Sequence, residues 1–143
     1  MKISGMVVDV HERIIYPALV YFENGIISNI ERTLEAEPYF ILPGLIDAHI
    51  HIESSMITPC AFARVAVRHG TTGVVSDPHE IANVLGIEGI DFMINDGNKV
   101  PVNFWFGAPS CVPATIFESS GASIDNQEIQ QYQNPFSLED AAG

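Results

Sequence analysis

LIDAHIHIESSMITPCAFARVAVRHGTTGVVS, residues 45–76, is the stretch on which the fold turns. Leu45 to Ile52 reads as a strand. Pro59 to His69 reads as a helix, with Thr58 as N-cap, Pro59 at the first helical position, where its missing N–H costs nothing, and Gly70 just past the end. Phe62, Val65, Ala66 and His69 recur at i, i+3, i+4 and i+7, so they are expected to form the inner stripe of that helix. Thr71 to Ser76 follows as a second strand.

Working outward, Ala82 to Asp96 is mostly a second helix and Val102 to Phe106 a third strand. Strand, helix, strand, helix, strand implies parallel pairing through right-handed crossovers, hence an α/β class. Towards the amino terminus, Met6–Val10, Ile14–Phe22 and Ile26–Ile30 read as short strands. Asn24-Gly25 lies between the last two and favours positive φ at both turn positions, which predicts a β-hairpin. Glu31 to Glu37 is a charged, turn-like connection, and Pro43-Gly44 marks the change of pattern. Residues 1–42 are therefore expected to be a β portion and residues 43–143 an α/β portion.

Composition excludes several classes of function. The 143 residues are 47% hydrophobic and 17% charged, enough apolar material for a core and too much for a disordered tail. Six Lys+Arg against 18 Asp+Glu give a net charge of −12, and the scattered basic residues make no patch that could track nucleic-acid phosphates or an anionic membrane surface. Val100 to Phe117 carries no formal charge, but Pro101, Pro109 and Pro113 would each cost a spanning helix its hydrogen bonding. Asp9, His11, Glu12 and Arg13 interrupt any secretory segment, and Cys60 and Cys111 resemble no disulfide framework, so a cytoplasmic protein is expected. No glycine-rich phosphate loop and no G-x-S-x-G elbow is present.

The chemistry concentrates in Asp47-Ala48-His49-Ile50-His51-Ile52-Glu53. On a strand, Asp47, His49, His51 and Glu53 would project to one face and Ala48, Ile50 and Ile52 to the other. Two imidazoles about 6.6 Å apart along one strand face can converge on a divalent ion. H-x-H also occurs in ordinary turns and cores, but strand ends in parallel α/β patterns are where sites are built. A second cluster, Asp77-Pro78-His79-Glu80, follows the second strand; turn chemistry with an acidic first helical turn explains most of it, while Asp77 and His79 would sit on the same rim as His49 and His51. Ser110 and Cys111, after the third strand, are candidates for a substrate-contacting loop. His51-Ile52-Glu53 with Pro59-Cys60 also begins the H-x-E and P-C-x-x-C pattern of zinc nucleobase deaminases, yet position 63 is Ala63, which rules that pattern out.

PGLIDAHIHIESSM (43–56) resembles the first-strand metal motif of the amidohydrolase superfamily, and ESSMITP, HGTTGVVSDPHEIANVLGIEGI (69–90) and APSCVPAT (108–115) are similar to its adenine deaminases in particular. The resemblance implies part of a (β/α)₈ TIM-type barrel preceded by part of a small β-sandwich. It implies hydrolytic deamination of adenine to hypoxanthine and ammonia, with a divalent cation, Mn²⁺ or Fe²⁺ first and Zn²⁺ chemically possible. His49 and His51 map onto the metal ligands, while Asp77, His79 and Glu53 are candidate ligands or supports of the ligands. Adenine is then the small-molecule partner, and the parent is expected to be a homo-oligomer. A full barrel takes roughly 250 residues, and the stretch after Pro43 has room for about three of its eight strands. The family's bridging carboxylate, further histidines and catalytic Asp come from later strands, and no histidine follows His79. The chain is thus expected to be a truncated amino-terminal fragment, inactive alone. The alternatives are a non-catalytic acidic binding module, or an amidohydrolase acting on another cyclic amide or amidine.

Overall fold

In the computed structural model of the chain, Asn24 and Gly25 take φ of 52° and 80° and reverse the chain between β2 (Ile14–Glu23) and β3 (Ile26–Arg32). Positive φ at both positions gives the turn a twist that matches paired strands. The structure describes residues 1–109, 112–113, 117, 119–124 and 128, and the chain divides into two units, Met1–Pro43 and Gly44–Gly143.

The first unit is a four-stranded sheet in the order β3-β2-β1-β4, where β1 is Lys2–Asp9 and β4 is Phe40–Ile41. β1 and β2 pair antiparallel from Lys2↔Tyr21 to Asp9↔Ile14, and β4 adds to β1 in parallel. Asp9 Oδ1 accepts from the amides of His11 (3.0 Å) and Glu12 (2.9 Å), closing the turn after β1. Val7, Ala18 and Val20 are the buried core, with Tyr16, Phe22 and Ile41 against them.

The second unit is a parallel sheet in the order β5-β6-β7, formed by Leu45–Ile50, Thr71–Ser76 and Asn103–Phe106. α1 (Pro59–Ala66) links β5 to β6; α2 (His79–Leu85) and α3 (Ile87–Gly97) link β6 to β7. The α/β class expected from the alternation is what the chain adopts. Ile52, Ala63, Val74, Met93 and Val102 form the core between sheet and helices. At the start of β5, a Cβ on Gly44 would fall 2.0 Å from Thr72 Oγ1, so the backbone there approaches β6 closer than any side chain permits.

Three local expectations need correction. The strand expected to reach Ile52 ends at Ile50, and Ile52–Ser55 is a 3₁₀ turn. The turn drops Ile52 into the core, where it is fully buried, so Glu53 lies on the turn and not on the strand face. Secondly, the inner stripe of α1 is Pro59, Ala63 and Ala66 with Phe62 beside it, while Val65 and His69 are exposed. The small alanines admit the helix close to the sheet, and tightening to 3₁₀ at Val67–His69 takes the last turn off the 3.6-residue period. Thirdly, the single helix expected over 82–96 is two, broken at Gly86 with φ 60° and ψ −140°, a conformation open to essentially glycine alone.

Candidate metal centre

His49 and His51 converge, although the strand carrying them is irregular there and ends before His51. Between Asp47↔Val74 and Ile50↔Ser76 the pairing shifts register, because β5 uses one residue more than β6 over that interval. A bulge of this kind re-aims side chains. His49 Nε2 and His51 Nε2 lie 3.2 Å apart, with ring centroids at 5.1 Å and an edge-on angle of 72°.

The chain enters the second cluster directly from β6. The Asp77 amide donates to Ile50 O (3.0 Å), extending the β5/β6 ladder and setting Asp77 beside the histidines. His51 Nδ1 is 2.9 Å from Asp77 O. A carbonyl oxygen only accepts, so that ring nitrogen carries the proton and, in the neutral imidazole, Nε2 is left as a lone pair. Asp77 Oδ2 lies 3.1 Å from His79 Nδ1, which orients the third ring in the same way. His51 and His79 pack edge-on with centroids 4.5 Å apart. Among the described residues, donor atoms of His51, Asp77 and His79 all lie within 4.8 Å of one another.

Imidazole and carboxylate donors of this kind suit Mn²⁺, Fe²⁺ or Zn²⁺. The structure gives a further sign of fit: Asp77 Oδ1 is buried with no hydrogen-bond partner, an acceptor that a cation would satisfy. The Nε2···Nε2 approach of His49 and His51 is the arrangement of two donors facing one point.

The remaining candidates separate. Asp47 Oδ1 accepts from the His49 amide (3.2 Å), a local bond that shapes the strand end. Glu53 Oε1 accepts from the Ile81 amide (3.3 Å) and its Oε2 is buried without a partner. Ser54 Oγ donates to the Glu80 carboxylate, at 2.7 Å from Oε1 and 2.6 Å from Oε2. Ser110 and Cys111 lie outside the described residues. Sequence reading missed Asp77 O, Ser54 and Glu80 as parts of one assembly. Asp-Pro signals only a turn, and a main-chain oxygen carries no residue signature.

Residues 40–139 match the amidohydrolase family. The chain belongs to that family. The adenine deaminase of Salinibacter ruber is 59% identical to this amidohydrolase chain over 123 residues, 86% of the chain and 23% of that protein. That of Methanosphaera stadtmanae is 56% identical over 124 residues, covering 87% and 23%, and that of a Sulfurovum species 53% over 130 residues, covering 91% and 24%. The chain thus spans about a quarter of the length of the curated relatives it matches. No helix among the described residues is long and apolar enough to cross a membrane.

Proposed function

We propose that this amidohydrolase chain is part of an enzyme that hydrolytically deaminates adenine to hypoxanthine and ammonia, a purine-salvage reaction, with His49 and His51 as metal ligands. His79 and Asp77 would complete the share of the site that this chain supplies. The observation that carries the reading is the gathering of donor atoms of His51, Asp77 and His79 within 4.8 Å of one another where β5 and β6 end, with His49 Nε2 3.2 Å from His51 Nε2 and His51 held by Asp77 O at 2.9 Å. Identity to adenine deaminases of three organisms supports adenine as the substrate. The sequential order β5-β6-β7 supports the first three units of a (β/α)₈ barrel, and the four-stranded sheet before it supports part of a small β-sandwich.

A divalent ion, Mn²⁺ or Fe²⁺ with Zn²⁺ also competent, would be held by His49 Nε2, His51 Nε2 and the Asp77–His79 pair, supplying acidification of water and polarisation of the purine ring. Each residue of the chain has its own task. His51 spends its Nδ1 proton on Asp77 O and keeps Nε2 as a lone pair. Asp77 Oδ2 accepts a hydrogen bond from Nδ1–H of His79, so that in the neutral ring Nε2 keeps its lone pair. The rest of the ligand set and the main acid/base group belong, in this reading, to other parts of the whole protein, so residues 1–143 alone leave adenine unchanged. We also place the whole protein in the cytoplasm, and the acidity of this chain, net −12, argues against a nucleic-acid or membrane partner for its share of the surface. We place it as a homo-oligomer by its family.

The test is to incubate adenine with the Mn²⁺-loaded whole protein, its His51→Ala variant and residues 1–143 alone, following hypoxanthine and ammonia. Turnover only by the unaltered whole protein is expected. Hydrolysis of another cyclic amidine and not of adenine would replace the substrate, and turnover by residues 1–143 would overturn the division of the site.

A further inference from the structure

The 3₁₀ turn after β5 and the first turn of α2 are tied by two side chains. Glu53 Oε1 accepts from the Ile81 amide at 3.3 Å, and Ser54 Oγ donates to Glu80. Both ties join the segment that follows His51 to the segment that carries His79. The Ile81 amide is a first-turn donor with no partner inside its own helix, so an outside acceptor decides where that turn sits. Asp77 and His79 enter α2 immediately before it, and they are the residues that face His51. Glu53 Oε2 is, like Asp77 Oδ1, buried without a partner, yet among the described residues the donor atoms within 4.8 Å of one another belong to His51, Asp77 and His79 and not to Glu53.

We infer that Glu53 is a positioning residue and not a metal ligand: its carboxylate, through the Ile81 amide, sets the distance of Asp77 and His79 from His51. This rests on the metal site proposed above and says which carboxylate of this chain stands behind it. A positioning role needs an acceptor atom at the right reach, whereas a ligand role needs the negative charge. Two substitutions separate these demands. Glu53→Gln keeps the reach and a carbonyl acceptor but removes the charge; Glu53→Asp keeps the charge but falls one methylene short of Ile81.

The experiment titrates residues 1–143 and the two variants with Co²⁺, recording the d–d spectrum and the dissociation constant, and measures hydrogen exchange of the Ile81 amide without metal. Glu53→Gln should bind Co²⁺ within about threefold of the unaltered chain, with the same spectrum and a protected Ile81 amide. Glu53→Asp should bind about 10- to 100-fold more weakly, the usual cost of losing a support behind a ligand, with an altered spectrum and faster exchange at Ile81. Weakening by Glu53→Gln equal to that by Glu53→Asp would make Glu53 a ligand and overturn the inference. Unchanged binding by both variants, or an Ile81 amide indifferent to either, would overturn it as well. Failure of the unaltered chain to bind Co²⁺ refutes the metal site instead, and the exchange measurement still decides whether Glu53 holds the first turn of α2.

Discussion

Asp96 shows how much one carboxylate can organise. It lies on α3, 8% exposed, and its Oδ2 accepts from the Cys60 amide at 2.8 Å, capping the first turn of α1 from another helix. The Cys60 amide, aided by Lys99 and the Thr58 hydroxyl, holds its carboxyl below the usual carboxylate range in spite of burial. A depressed folded-state pKa contributes stability above the unfolded value of about 3.9, and that contribution is lost as pH falls through the folded value. Asp96→Asn should therefore unfold at lower denaturant at pH 7, by about 1.5–3 kcal/mol for a hydrogen bond to a charged group, with the gap to the unaltered chain closing below about pH 4. Urea titrations at both pH values check it. If the proposed metal site is right, Asp77→Ala should weaken binding of a divalent ion such as Mn²⁺ about 10- to 100-fold in calorimetry by releasing His79. The approach of the His49 and His51 rings was legible in the sequence, because H-x-H at a strand end puts two imidazoles on one side. Asp77 is only a candidate in the sequence, and its contact with His51 was not legible there, because it is made by a carbonyl that any residue would present.

Among the elements, strands were easier to read than helix ends. β6 runs from Thr71 to Ser76 as its β-branched composition demands, and the Asn24-Gly25 turn places the β2–β3 hairpin. Where the reading failed, packing had overruled periodicity. β5 stops early where Ile52 is buried, and the register shift between Asp47 and Ile50 leaves no trace in alternation. The break between α2 and α3 is a third instance: the apolar pattern runs through Gly86, but the backbone there is one that a β-carbon forbids. Gly86→Ala should cost about 1–3 kcal/mol in chemical denaturation. A loss below about 0.5 kcal/mol would mean that the helices can fuse without strain, contrary to the fold described above.

For the whole chain, apolar surface is the dominant unfinished feature. Ile15, Ile26, Ile27 and Phe40 in the first unit and Leu45 and Ile46 in the second are each more than half exposed. In the described sheet β5 and β7 each pair on one side only, so hydrogen-bonding edges stand open beside that surface. Edges of this kind recruit other chains. The isolated 143-residue chain should self-associate in sedimentation velocity at micromolar concentration, the more so as salt screens its net charge of −12; a monodisperse monomer at high salt would refute this. The start of β5 has an engineering consequence. Gly44 tolerates no side chain against Thr72, and the Leu45 amide already donates to Gly70 O at 2.8 Å. The start of β5 is therefore closed to insertion: a tag or graft spliced at Gly44 would prise β5 from β6, whereas one placed among the exposed residues between β3 and β4 would be borne.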